Sequence, residues 1–373
     1  MDFGLDDTQL AAIEVADQIL AGTCAPERLR QIEDDDWFHA TLWAELAKAD
    51  LLGLCLPEAD GGGGFGFLEA CLLLERIGRH VPPVPALDGV VAAMAIGRWG
   101  TPELRARWLG AFAAGDAVLT LALSEATGDE RHPALRAERR SDGWVLTGDK
   151  ICVPFAERAA ALVVSARDTA GDPIVVVVPA EAAGVAMAAQ DTFNHEPQAH
   201  VTFDGVHVED AALLGGDDAT LVLDWLVDRA TVALAALAAG IADGGMRLTA
   251  TYTTERHQFD RAIGTFQAVG HRMADCFIDV EAMRLTMLQA ATLLDDESPA
   301  DLEVAVAKYW ASYGGSRVGH AGLHVHGGIS IDLDYPIHRY FLWAKHLELR
   351  LGAGTAQLDR LGSMLAEAPV LDG

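Results

Sequence analysis

The stretch LHVHGGISIDLDYPIHRYFLWAKHLELRLGAGT, residues Leu323 to Thr355, decides the reading of this chain. It holds a glycine pair (Gly327-Gly328), a Tyr335-Pro336 break, an amphipathic segment and a second small-residue turn, Gly352-Ala353-Gly354-Thr355. Upstream of it, from Asp217 onward, almost no breakers interrupt long periodic segments. Helices are predicted at about 218–254, 266–295, 299–323 and 338–363, and four long helices with short connections describe a bundle.

Further outward the pattern changes twice. Between 116 and 216 the chain shows short β-branched runs bounded by Gly, Asp or Pro: Val118–Leu123, Gly143–Leu146, Ala161–Val164, Ile174–Val178 and His200–Val206. These read as strands of an antiparallel β-domain. Residues 1–115 read as helical. Thr8 is a candidate cap for a first helix carrying Leu10, Ile13, Val15, Ile19 and Leu20. Trp43, Leu46, Ala47 and Leu51 mark a helix ended near Gly53, and Thr101-Pro102-Glu103 opens another. The run Gly61–Gly64 lacks the Lys-Ser/Thr of a phosphate loop and follows no strand, so it reads as a flexible lead-in to a helix over Leu68–Ile77. The expected division is 1–115, 116–216 and 217–373.

Composition narrows the function. With 27 basic and 55 acidic side chains the formal charge is −28, a surface that repels nucleic-acid backbones. A phosphate-bearing ligand must therefore be held by a few local Arg or Lys residues and backbone N–H groups. No apolar run reaches the roughly 18 residues of a membrane span, and the acidic start MDFGLDDTQL lacks signal-peptide design, so a cytoplasmic protein is expected. Cys24, Cys55, Cys71, Cys152 and Cys276 show no CxxC spacing and read as buried reduced thiols.

Two motifs carry chemistry. Arg256-His257-Gln258-Phe259-Asp260-Arg261-Ala262-Ile263-Gly264-Thr265-Phe266-Gln267 supplies a guanidinium able to grip a diphosphate, an aromatic ring and an amide. His324-Val325-His326-Gly327-Gly328 supplies a backbone that a dinucleotide can approach closely. The His-x-His pair has no carboxylate or Cys at ligand spacing, so no metal site is expected.

With Tyr335-Pro336 and His338-Arg339-Tyr340, these segments resemble the signatures of acyl-CoA dehydrogenases, and the resemblance covers essentially the whole chain. It implies an α+β architecture: an N-terminal helical domain, a middle β-domain and a C-terminal four-helix bundle. It also implies FAD as cofactor. In that family the residues matching Arg256, Phe259, Gln267, His324, Gly327 and Gly328 reach the FAD of a neighbouring subunit. Asp260 stands where the family has Gly, placing a carboxylate close to where phosphate should lie; a pair with Arg261 would neutralise it, whereas like charges in contact would weaken binding. The half-site that a subunit offers its own flavin is eroded. Ser124-Glu125-Ala126 replaces Thr-Glu-Pro and keeps one hydroxyl, whereas Cys152-Val153-Pro154 lacks both the flavin-covering aromatic and the bonding hydroxyl. Thr355 belongs to the same implied set of cofactor contacts.

The family's chemistry needs a carboxylate that takes the α-proton while hydride leaves the β-carbon. Most members place that Glu directly before Gly-Thr, where this chain has Ala353. The alternative family position on the long helix falls at or near Ala230. Asp228 lies two residues away, about 200° around a helix, and Glu348 is expected on a solvated face. Three readings remain open. The chain resembles the base-lacking subunit of heteromeric α2β2 steroid side-chain acyl-CoA dehydrogenases of actinobacteria, carried by the MDF start, Arg247-Leu248-Thr249-Ala250, Tyr252 and the 326–340 segment. That implies a partner with the catalytic Glu, a bulky acyl-CoA and an electron-transfer flavoprotein acceptor. The others are an active homotetramer with a displaced base, and a superfamily relative doing other flavin chemistry.

Overall fold

The computed structural model describes residues 4–367, which leaves the MDF start outside the described residues. Its contacts divide the chain into two units. One comprises residues 6–70 and 83–230; the other comprises, among the described residues, 4–5, 71–82 and 231–367.

The first unit begins with α1 (Asp7–Thr23), α2 (Pro26–Glu33), α3 (Ala40–Lys48) and the start of α4 (Phe67–Gly78). Its later helices are α5 (Ala86–Trp99) and α6 (Pro102–Ala113). Asp6, not Thr8, caps α1: its carboxylate accepts from the N–H groups of Thr8 (2.9 Å) and Gln9 (2.8 Å), and the Gln9 side chain answers at Asp6 N (3.0 Å). This reciprocal box satisfies donors that Thr8, inside the helix, cannot reach. Thr101 does cap α6, with Pro102 in its first turn. The Gly61–Gly64 loop is pinned rather than loose. All four N–H groups donate to carbonyls of Glu58, Pro57, Gly53 and Leu56. A Cβ on Gly62 would lie 2.3 Å from Leu56 O. None of those donors is left for a phosphate.

The same unit holds a seven-stranded sheet: β1 (Val118–Ala122), β2 (Arg136–Arg140), β3 (Gly143–Pro154), β4 (Ala159–Arg167), β5 (Pro173–Pro179), β6 (Val185–Gln190) and β7 (Gln198–Val208). The order is β1-β4-β2-β3-β7-β6, with β5 on β4. The β2–β3, β3–β7, β4–β5 and β6–β7 ladders are antiparallel, as expected, while β1 and β2 run parallel to β4. Leu146, Leu162, Val164, Val176, Val201 and Phe203 form its core.

In the second unit, the end of α4 crosses α7 (Ala219–Glu255) with backbones in contact. A Cβ on Gly240 would stand 1.9 Å from Glu75 O, and one on Gly244 2.4 Å from Arg79 O. Glu75 and Asp243, both buried, are neutralised by Arg79, Arg284 and Arg247. A two-stranded hairpin, β8 (His257–Gln258) and β9 (Arg261–Ala262), leads to α8 (Gln267–Asp295), α9 (Asp301–His326), α10 (Ile337–Leu349) and α11 (Gly354–Glu367). The single helix expected over 338–363 is two. Leu351 (φ 54°) and Gly352 (φ 83°) adopt left-handed backbone that ends α10, and the Gln357 amide donates to both carbonyls.

Candidate functional site

Arg256 follows α7 directly, its N–H closing the last turn on Tyr252 O (2.9 Å). The pairs His257–Ala262 and Gln258–Arg261 make Phe259 and Asp260 the two residues of a tight turn, at φ 53° and 61°. Two consecutive left-handed residues are the type I′ solution for a two-residue hairpin. Asp tolerates that conformation better than most side chains, so Asp260 fits the backbone where Gly was expected. The anticipated Asp260–Arg261 pair is absent among the described residues: the Arg261 guanidinium lies 4.0 Å over the Phe266 ring. Phe259 is 87% exposed. The side chains of Arg256, at the end of α7, and Gln267, opening α8, make no hydrogen bond or ion pair among the described residues.

At the end of α9, His324 is exposed and His326 is buried. Gly327 adopts φ 64°, ψ −137°, a conformation essentially confined to glycine. A Cβ on Gly328 would meet nothing within 4 Å, so this chain gives no steric reason for glycine there. His326 stacks on Tyr252 with ring centroids 4.3 Å apart, which brings the two motifs together. Thr355 lies exposed in the first turn of α11, and Ala353, half-buried, precedes it with its carbonyl accepting from Gln357 N (3.2 Å).

The β-sheet side is built differently. Ser124, just past β1, donates to Glu130 Oε1 at 3.0 Å. Cys152 sits at an irregularity of the β3–β7 ladder with φ 52°, and its N–H donates to the Gln190 side-chain carbonyl (2.7 Å). Its side chain is exposed, against the expectation of burial, while Cys24, Cys71 and Cys276 are buried and Cys55 is intermediate. Glu125 accepts from Ala134 N, Leu135 N and Lys150 Nζ. Lys150 is fully buried, and burial pushes its pKa down against the pull of Glu125. Arg131 extends from the same loop to Asp224 (2.6 Å) and Asp228 on α7. Burial opposes the charge of Arg131, and Asp228 and Asp224 more than restore it.

Family models match both ends: acyl-CoA dehydrogenase N-terminal domain over residues 6–116, and C-terminal domain over 222–365. The chain is 38% identical to acyl-CoA dehydrogenase FadE27 of Mycobacterium tuberculosis, covering 99% of this chain and all of that one. It superposes on a chain of the ChsE4-ChsE5 complex of M. tuberculosis with TM-score 0.94 and 39% identity, covering 99% of this chain and 100% of that one. A chain of a variant of the Tcur3481-Tcur3483 steroid ACAD gives TM-score 0.91 and 42% identity, with 97% and 98% covered. The chain belongs to the acyl-CoA dehydrogenase family. These are FAD-dependent oxidoreductases acting on CH–CH bonds.

Within that family the acids around the two base positions can be placed. Ala230, on α7, is fully buried. Asp228 is held by Arg131. Glu348 is half-buried rather than on a solvated face, with its carboxylate 2.6 Å from Lys345 Nζ. Sequence reasoning missed Glu130, Arg131 and Gln190, whose partners lie 6, 93 and 97, and 38 residues away. The one available signal was Asp224 and Asp228 at i, i+4 on a predicted helix, facing an unassigned Arg. No helix among the described residues is long and apolar enough to cross a membrane.

Proposed function

We propose that this chain is the non-catalytic subunit of a heteromeric acyl-CoA dehydrogenase, completing the FAD site of a partner subunit that carries the catalytic Glu. The observation that carries the reading is the absence of an available acid at either family base position. Ala353 and Ala230 offer methyl groups, and the nearest acids, Asp228 and Glu348, are each bound to a cation.

The chain's residues fit the cofactor on one side. Among the described residues the Arg256 and Gln267 side chains have no hydrogen-bond or ion-pair partner, Phe259 is exposed, and a Cβ on Gly328 would meet nothing within 4 Å. Arg256 would grip the diphosphate, Gln267 and His324 would reach the adenosine portion, and Gly327-Gly328 would admit it closely. On the other side the fit is poor: the Ser124 hydroxyl and the Cys152 N–H already have acceptors, and Pro154 has no N–H. FAD, when bound, accepts the hydride removed from the acyl β-carbon. This chain's part is to bind and orient it while the partner's carboxylate takes the α-proton.

The likeness to chains of the ChsE4-ChsE5 complex and of a steroid ACAD supports two finer parts of the proposal: a second dehydrogenase subunit, and a bulky steroid side-chain acyl-CoA as substrate. An electron-transfer flavoprotein as acceptor, a cytoplasmic location and the division at 115 and 216 complete it. Expressed alone, the chain should be colourless and inactive; with its partner it should yield a yellow, active complex. A yellow, active homotetramer of this chain would refute the proposal. Arg256→Ala in the complex should weaken FAD binding about 10- to 100-fold, the scale of a charge-assisted hydrogen bond to phosphate.

A further inference from the structure

His326 lies at the root of both dinucleotide-facing segments, and its hydrogen bonds define its tautomer. Nδ1 stands 2.8 Å from the Gly322 carbonyl, which can only accept, so Nδ1 carries the proton. The Tyr335 hydroxyl, 3.0 Å from Nε2, therefore donates to a bare ring nitrogen. Tyr252, one turn before Arg256, stacks on the ring and donates its hydroxyl to the His326 carbonyl at 3.5 Å. Tyr252 and Tyr335 meet edge to face, at 6.2 Å between centroids. The imidazole is 4% exposed, and burial favours its neutral form over the opposing Gly322 bond. Titratable groups facing this cluster are Tyr252 and Glu255 from α7, with Tyr335 itself from the turn before α10.

We propose that neutral His326 is a positioning residue. It locks the glycine turn at 327–328 to the Arg256 end of α7 so that both segments present one preformed surface to the FAD of the partner subunit. This rests on the function proposed above and adds a residue to it. The physical reason is specific. A ring hydrogen-bonded at both nitrogens and stacked on Tyr252 cannot rotate, and Tyr252 also holds the carbonyl immediately before Gly327. Positioning the two segments before the cofactor arrives removes an ordering cost from binding.

The test uses the complex of this chain with its partner subunit, comparing Tyr335→Phe and His326→Phe with His326→Asn, whose amide can still donate toward Gly322 O. FAD affinity is measured by flavin fluorescence quenching, and backbone hydrogen exchange is followed over 250–267 and 322–335. Tyr335→Phe should weaken FAD binding about tenfold, the usual consequence of leaving one buried acceptor unpaired. His326→Phe should weaken it further, with partial recovery in His326→Asn. Exchange should rise in both segments together. A rise confined to 322–335, or unchanged FAD affinity with only a lowered melting temperature, would overturn the positioning role. The Arg256→Ala complex separates the two ideas. If it keeps FAD, the proposed function fails, and joint exchange in the His326 variants still decides whether the lock exists.

Discussion

Lys150→Met is the perturbation whose size the structure fixes best. The ammonium, fully buried, donates to Glu125 Oε1 at 2.6 Å, Ser165 Oγ at 3.0 Å and Leu123 O at 3.1 Å, which uses all three of its protons. Methionine fills a similar volume but strands the Glu125 carboxylate, 9% exposed, with only the Ala134 and Leu135 amides. Removing one member of a buried pair costs about 3–5 kcal/mol. For a chain of 373 residues the unfolding entropy is about 0.8 kcal/mol per kelvin, so melting should fall by about 5 °C. Glu125→Gln leaves the ammonium buried instead and should cost a comparable amount. The double variant removes both charges, so its loss should be about 2 kcal/mol smaller than the sum of the single losses. A double-mutant cycle by calorimetry on the purified complex measures this. A single Lys150→Met shift below about 1 °C, or a cycle additive to within about 0.5 kcal/mol, would refute the claim that this pair holds the 125–135 loop to β3.

Other outcomes follow from particular contacts. Gly328→Ala should leave stability within about 0.5 kcal/mol of wild type yet weaken FAD binding, because its Cβ meets nothing within 4 Å among the described residues; equal FAD affinity would show that nothing approaches there. Gly240→Ala should cost at least about 3 kcal/mol or prevent folding, since Cβ would lie 1.9 Å from Glu75 O; soluble, normally melting protein would contradict this crossing. His39 caps α3 by accepting Leu42 N at Nδ1 while Nε2 donates to Thr23 O, so it must be neutral, and burial lowers its pKa, with smaller effects from the Thr23 carbonyl (upward) and Arg28 (downward). Its stabilising contribution is thus complete above the unfolded pKa near 6.5 and lost as pH falls through the lower folded value; His39→Asn should flatten that acid limb in a pH series of melting curves. Burial pushes the Cys24 and Cys276 thiols up to about 11, so at pH 8 a thiol reagent should modify exposed Cys152 first.

The long helices α7, α8 and α9 were legible to within a few residues because uninterrupted periodic apolar positions leave few alternatives. Strands β1, β4 and β5 announced themselves through β-branched runs. By contrast β2, with sequence RAERR, buries only Ala137, and edge strand β6 buries none of its residues fully. Such strands exist through pairing with β3 and β7, which no local pattern encodes. Helix α5 was missed for the opposite reason: it is buried nearly all round, so it has no polar stripe to set a period. The small-residue turn at Gly352–Thr355 was legible, but the expected helix ran through it, and the left-handed backbone begins one residue earlier, at the non-glycine Leu351. The Arg256–Gln267 candidate motif lies within one short stretch of sequence, while the contacts of Arg131 with Asp224 and Asp228 depend on tertiary structure.

The sheet-side and bundle-side candidate contacts differ in how their donors are satisfied within the chain. An inward-facing donor left without a ligand must find another acceptor, because leaving it unpaired costs more than a hydrogen bond returns. On the sheet side the chain supplies such an acceptor itself, Glu130 for the half-buried Ser124 hydroxyl, and the Gln190 side chain takes the N–H of exposed Cys152. Arg131 fastens the same loop to α7. On the bundle side Arg256 and Gln267 are exposed to solvent, which can satisfy them, and they have no side-chain hydrogen bond or ion pair among the described residues. A subunit that held its own flavin would need the reverse on the sheet side, with the serine and the backbone amide awaiting the ring. Hence Ala353→Glu alone should not make this chain an active homomer. The acid would be restored while the Ser124 and Cys152 donors stay engaged within the chain, and measurable dehydrogenation by that single variant without a partner would show those contacts to be readily displaced.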